Sequence, residues 1–268
     1  MPGDKESNRS ENLSERIIVT GACVRGERHV REGLPCQDAF SWHRITEKIV
    51  IIALADGLSS EPYADTGARI AGETICKAFI SAYEHQNVMP DDRKVLMRDA
   101  FRTAHEAVIS EAHLAGIDPS RYGSTLIGAL FGNGVLTVGH IGDGIVAGLQ
   151  EGKSIIISEP CQSEYANETS CLVQPDWETH LRITEVSHIE AGILATDGCQ
   201  AAIATRISGN LHPYDPFILP LISFARKKNT HGEDASADIS SLLISSRMQT
   251  LSGDDKTLVI FCEPPVMT

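Results

Sequence analysis

Residues 124–158 read STLIGALFGNGVLTVGHIGDGIVAGLQEGKSIIIS. Short runs of β-branched and aliphatic residues at 125–131, 135–141, 145–149 and 154–158 are each the length of a strand. Gly132-Asn133-Gly134 separates the first two runs and offers the positive-φ residues of a tight hairpin, and Glu151-Gly152-Lys153 separates the last two. The stretch therefore reads as an antiparallel meander.

Working outward, similar runs lie at 17–23 and 49–55 upstream and at 193–196 and 257–262 downstream. Between the second and third strands, Ala68, Ala71, Ile75, Ala78, Phe79 and Ala82 form one apolar helical stripe, and Met97, Phe101, Ala104, Val108 and Ala112 form another. Pro90-Asp91-Asp92 marks a start for the second helix. Weaker helical segments at 216–228 and 235–248 precede the last strand and flank a polar loop at 227–234. This order predicts an α+β fold of antiparallel sheets covered by helices, not alternating parallel βαβ units. With no internal repeat and no linker, residues 16–263 are expected to form a single domain, between a polar leader at 1–15 read as disordered and a short tail at 264–268.

Acidic residues outnumber basic ones by 36 to 23, a formal charge of -13, so the surface repels nucleic acid and anionic lipid. The opening residues lack the apolar core of a signal peptide, and no apolar run approaches the ~18 residues that span a bilayer. The seven cysteines are scattered and never form a C-x-x-C pair, which fits a reducing cytoplasm. An acidic protein that acts on anionic, phosphorylated substrates needs local positive charge, and bound divalent cations can supply it.

The chain contains three Asp-Gly dipeptides, Asp56-Gly57, Asp143-Gly144 and Asp197-Gly198, each closely following an apolar strand, while Asp254-Asp255 comes directly before one. A lone Asp-Gly is a turn signal. Repeated at strand ends, the carboxylates can converge on one cleft, where they repel one another unless cations neutralise them. Oxygen-only ligands select Mg²⁺ or Mn²⁺ over zinc. No histidine pair has zinc-ligand spacing; His105 and His113, eight apart on a predicted helix, read as surface or boundary residues.

The ordered set Gln37-Asp38-Ala39, Ala55-Asp56-Gly57, Gly123-Ser124-Thr125, Gly142-Asp143-Gly144, Thr196-Asp197-Gly198 and Asp254-Asp255-Lys256-Thr257 resembles the metal-dependent protein serine/threonine phosphatases of type 2C, over residues 21–261. The Cys36-Gln37-Asp38 form looks closest to bacterial members. The resemblance implies a four-layer α-β-β-α sandwich with the metals in a cleft at one edge of two central sheets. It implies that Asp56 bridges two divalent cations, that Gly57 offers its carbonyl to one, and that Asp197 and Asp254 hold the second. Asp143 and Asp197 would hold a weaker third metal, and Asp38 would orient metal-bound water. Two cations lower the pKa of a shared water, and the hydroxide attacks phosphorus in line. The implied substrate is a phosphoserine or phosphothreonine protein, with a cognate kinase as the opposing enzyme and the phosphatase a monomer.

Several positions depart from the family's pattern. Gly33 stands where most relatives carry a phosphate-binding arginine, so the basic segment 25–31 is the replacement, with His29 or Arg31 expected at the phosphate. Gln37 replaces a glutamate, and Leu58 replaces a histidine that some eukaryotic members carry. Ser124 and Cys36 read as packing residues, not nucleophiles. Residues 159–180, with Glu164, Asn167, Glu168 and Trp177, read as a surface loop able to touch substrate. Two other readings stay open: a phosphatase-like domain that binds a phosphoprotein or partner without turnover, and a hydrolase of small phosphorylated metabolites.

Overall fold

Strand β3 (Ile49–Asp56) shows how the layers arise. Its side chains alternate, so that Ile51, Ala53 and Ala55 enter one apolar core while Val50, Ile52 and Leu54 enter another. A strand buried on both faces needs cover on both, here helices on one side and a second sheet on the other. The computed structural model describes residues 16–86, 92–161 and 169–264. One five-stranded antiparallel sheet runs β2 (Asp38–Thr46), β3, β4 (Leu126–Gly132), β5 (Val135–Ile141) and β8 (Arg182–Ser187). The other runs β1 (Ile18–Val24), β12 (Lys256–Cys262), β9 (Ile189–Ala195), β6 (Ile145–Gln150) and β7 (Lys153–Ser158).

Between the sheets, Val50, Ile52, Leu54, Phe131, Val259 and Phe261 form a core in which the two phenylalanine rings lie 4.5 Å apart. Helices α2 (Ala64–Gln86) and α3 (Arg93–Ala115) cover the first sheet through the two apolar stripes read from the sequence. Helices α6 (Asp215–Thr230) and α7 (Ser236–Leu243) cover the second through Ile218, Ile222, Ile239 and Leu243. Each fully buried Phe, Ile or Leu in these layers stabilises the fold by roughly 1.5–3 kcal/mol. The result is the expected α-β-β-α sandwich. Asp92 caps α3, its carboxylate accepting from the Val95 N–H at 3.0 Å.

The meander is where the sequence reading needs correction. The β4–β5 and β6–β7 hairpins form with their turns as read, Asn133 and Gly134 at φ 55° and 69° and Glu151 and Gly152 at φ 49° and 74°. They belong to different sheets, however, and the chain crosses between them at Gly142-Asp143-Gly144. Gly142 has φ 108°, and a Cβ there would lie 2.5 Å from Thr125, so both conformation and space require glycine. The crossing puts Asp143 at the end of both sheets.

Strands β2 and β8, helix α1 (Glu27–Glu32), and the hairpin of β10 (Ala204–Ile207) and β11 (Asn210–Pro213) were not expected. β2 and β8 are edge strands with largely half-buried, polar-rich patterns, which carry little apolar signal. The helix expected at 235–248 is two, because Ser245 adopts an extended backbone, ends α7 and caps α8 (Ser246–Leu251). Among the described residues no helix is long and apolar enough to cross a membrane. The expected leader at 1–15, the tail beyond Pro264, Pro90-Asp91, and Glu164, Asn167 and Glu168 lie outside the described residues.

Candidate metal centre

Asp38 opens β2 and Asp56 closes β3, and the two face each other across the ladder. Directly opposed like charges are unfavourable, so the pair needs compensation. Asp143 sits in the crossing turn, Asp197 opens helix α5 (Asp197–Ile203) just after β9, and Asp254 directly precedes Asp255 and β12. Strand ends from both sheets thus deliver Asp56, Gly57, Asp143, Asp197 and Asp254 to one cleft of about 770 Å³.

The glycines of the Asp-Gly pairs set these approaches. The Gly57 N–H donates to the Gln37 carbonyl at 3.1 Å, and a Cβ on Gly57 would lie 2.8 Å from Ala64. A Cβ on Gly198 would lie 2.0 Å from the Asp255 carbonyl oxygen, so only glycine lets α5 start against the 254–256 segment and brings Asp197 beside Asp254. Beneath them the buried Lys256 donates from Nζ to the Asp254 carbonyl at 2.8 Å.

Asp38 stands behind the cleft. Its Oδ2 accepts from the Thr196 and Thr257 hydroxyls, both at 2.8 Å, tying β2 to the ends of β9 and β12. Its Oδ1, like Asp197 Oδ1, is buried with no hydrogen-bond partner among the described residues. Burial, with the Asp255 charge adding to it against the two threonine bonds, pushes the Asp38 carboxyl up to about 7. Burial and then the Asp143 and Asp254 charges push Asp197 up to about 6. Asp56 is raised well above the ordinary range by burial first and then by Asp38, Asp197, Asp143 and Asp254. Hard oxygen donors, orphaned buried carboxylate oxygens and mutual repulsion fit divalent cations.

His29 and Arg31, the residues expected at a bound phosphate, do not line the cleft. His29 is buried and its Nδ1 pairs with Asp255 Oδ2 at 2.8 Å, while Arg31 donates to the Glu27 carbonyl at 3.4 Å. Arg28 is instead the one basic side chain among the described lining residues, donating to both Asp254 oxygens at 3.0 Å and to the Ser59 hydroxyl at 2.8 Å. Six residues of α1 are too few for a readable periodicity, so the sequence could not separate the Arg28 and Glu32 face from the buried His29 face.

Asp255 has a structural part. Buried, it accepts from the Gly26 N–H at 2.7 Å, the Gln37 N–H at 2.6 Å and His29 Nδ1 at 2.8 Å. His29, Asp254 and Asp255 offer ligand atoms within 4.8 Å of one another, but these bonds already engage the Asp255 oxygens. Asp255→Ala will orphan two buried N–H groups and the His29 ring, and should lower unfolding free energy by about 3 kcal/mol in urea titrations. A loss under about 1 kcal/mol would show that these bonds contribute little.

The loop after β7 differs from its expected surface role. Trp177, in helix α4 (Trp177–His180), is buried and stacks on His105 at 5.4 Å, and His105 Nδ1 bonds the Leu172 carbonyl at 2.8 Å. This half of the loop is pinned to α3, with His105 at the boundary as read. Thr169 reaches the cleft and donates to Asp143 Oδ2 at 3.0 Å. Ser124 is buried and bridges to Gly57, in keeping with packing.

The family model described as Protein phosphatase 2C matches residues 25–243. No curated protein sequence matches the chain. Among solved structures, a serine-threonine phosphatase 2C from Toxoplasma gondii is 13% identical with a TM-score of 0.63, over 92% of this chain and 95% of that one. PppA, a key regulatory component of the T6SS in Pseudomonas aeruginosa, is 16% identical with a TM-score of 0.59, over 93% and 99%. The catalytic domain of the serine threonine protein phosphatase PstP, in complex with two manganese ions, is 18% identical with a TM-score of 0.55, over 93% and 99%. At such identities the likeness is one of fold.

Proposed function

This chain belongs to the protein phosphatase 2C family, and from that premise we propose that it hydrolyses phosphoserine and phosphothreonine in proteins with the help of divalent cations. The observation that carries this reading is the gathering of Asp56, Asp143, Asp197 and Asp254 on one cleft from strand ends far apart in the chain. Asp56, the Gly57 carbonyl, Asp197 and Asp254 would hold two cations, and Asp143 with Asp197 would hold a weaker third. Mg²⁺ or Mn²⁺ suits these oxygens, and the two manganese ions of PstP support the choice. When bound, such cations lower the pKa of water toward neutrality and offset charge on the phosphate.

The remaining roles belong to side chains. Asp38, with Oδ2 fixed by two threonines and Oδ1 unpartnered among the described residues, would orient water from behind Asp56. Arg28 would take the phosphate oxygens that Gly33 cannot, since a guanidinium matches phosphate with paired donors. Residues 16–263 would act as one catalytic domain. The seven unpaired cysteines fit a reducing cytoplasm, where a serine/threonine kinase would supply the substrate.

The test is release of phosphate from phosphothreonine and phosphoserine peptides, beside sugar phosphates, with manganese and with a chelator. Metal-dependent turnover of the peptides is expected, and preference for sugar phosphates would overturn the substrate assignment. The hold of Asp254 on Arg28 favours one second reading, a domain that binds phosphopeptide without turnover; binding with no phosphate release in manganese would establish it. Arg28→Gln should raise KM for a phosphopeptide roughly 10-fold or more, the worth of a hydrogen bond to a charged group, with a smaller change in kcat. An unchanged KM would remove Arg28 from the phosphate site.

A further inference from the structure

Cys23 and Cys36 stand 13 residues apart in the chain, yet their Sγ atoms are 3.4 Å from each other. Cys23, Cys36 and Cys161 are half-buried, whereas Cys76, Cys171, Cys199 and Cys262 are buried. From these positions we infer that Cys23 and Cys36 form a reversible disulfide that displaces Asp38 and loosens the metal centre.

The leverage lies in what each cysteine is attached to. Cys23 is held in β1 directly opposite Thr257 of β12, whose hydroxyl donates to Asp38 Oδ2. Cys36 lies two residues before Asp38 and next to Gln37, which donates its N–H to Asp255 and accepts from the Gly57 N–H. Cys23 Sγ is itself 3.5 Å from the Asp38 carbonyl oxygen. An S–S bond is ~2.05 Å long, so the sulfurs must close by about 1.3 Å. β1 is fixed by its register from Ile18 to Val24 against β12, whereas Cys36 follows the Gly33-Leu34-Pro35 turn, in which Gly33 has φ 70°. Cys36 is therefore the partner that moves, and it takes Gln37 and Asp38 with it.

The oxidant is a peroxide. One thiol attacks it and becomes a sulfenic acid with loss of one water; the second thiol attacks that sulfur, forming the S–S bond and releasing a second water. Two S–H bonds and one O–O bond are broken, each sulfur loses one electron, and the peroxide is reduced to water. A dithiol reductant reverses the change.

The effect on cations rests on the proposed metal centre; the bond itself does not. The experiment treats the full chain with excess hydrogen peroxide, blocks free thiols, and maps peptides by mass spectrometry beside a manganese titration. The expected result is a peptide linking residues 23 and 36, manganese affinity lower by ~10-fold or more as for a disturbed outer-shell partner, and recovery with dithiothreitol. Cys23→Ser and Cys36→Ser proteins should keep their affinity under peroxide. Free, alkylated Cys23 and Cys36 in the treated protein would overturn the inference, as would a linked peptide with unchanged affinity or serine variants that weaken equally. If the reduced protein binds no manganese, the centre itself fails, and displacement is read from hydrogen exchange at residues 36–40, which must rise on oxidation.

Discussion

Asp56→Asn and Asp197→Asn proteins are expected to fold, to lose manganese-dependent phosphate release, and to bind manganese more weakly by well over the roughly 10–100-fold that outer-shell changes cost. Each replacement keeps the shape of the side chain and removes one charge. Asp56 is raised well above the ordinary range by burial first and then by Asp38, Asp197, Asp143 and Asp254, so four like charges converge on it. An amide there relieves the metal-free protein of like-charge repulsion while removing the anionic oxygens that attract a cation. Activity and stability should therefore move in opposite directions: turnover disappears, while the melting temperature in chelator stays level or rises. Loss of both would indicate a folding defect. Wild-type turnover in manganese for Asp56→Asn would remove the proposed centre from the mechanism.

A second large effect is expected in the stability of the metal-free protein as pH changes. Asp38 and Asp197 titrate near 7 and 6 when folded, above the ordinary aspartate value of 3.8. Between these limits the native state binds more protons than the unfolded chain, so unfolding free energy falls as pH rises. The contribution is fully present below about pH 4 and is lost as pH passes through the folded values near 6 and 7. At about 1.4 kcal/mol per unit, the two carboxyls together account for a loss of several kcal/mol. Thermal melts in chelator at pH 5 and pH 7.5 should show the drop, and saturating manganese should reverse it, because a ligand that binds only the native state stabilises by RT ln(1 + [L]/Kd). Asp38→Asn should flatten the pH slope. A slope unchanged in that variant would show that the acid cluster is not its source.

The layered architecture was readable because it rests on local periodicity. The stripes on α2 and α3 and the apolar alternation of β3, β4 and β12 stay visible however the chain is folded around them. β2 and β8 were not readable, since a half-buried edge strand has no uniform apolar face. The separation of the two hairpins between sheets was also hidden, because Gly142-Asp143-Gly144 looks like any other turn until the strands on either side choose partners.

By itself the sequence determined that apolar strands end in aspartate-glycine pairs and that helices supply the outer layers, because both follow from the chemistry of neighbouring residues. It also determined which aspartates to consider, although not their distances. Only the tertiary structure decided that Arg28, not His29 or Arg31, faces the cleft, that Asp255 is engaged by Gly26, Gln37 and His29, and that Cys23 meets Cys36. Those outcomes depend on the rotation of a six-residue helix and on contacts across 13 to 229 residues of chain. Such contacts are set by how the sheets and helices pack, and no local pattern encodes them.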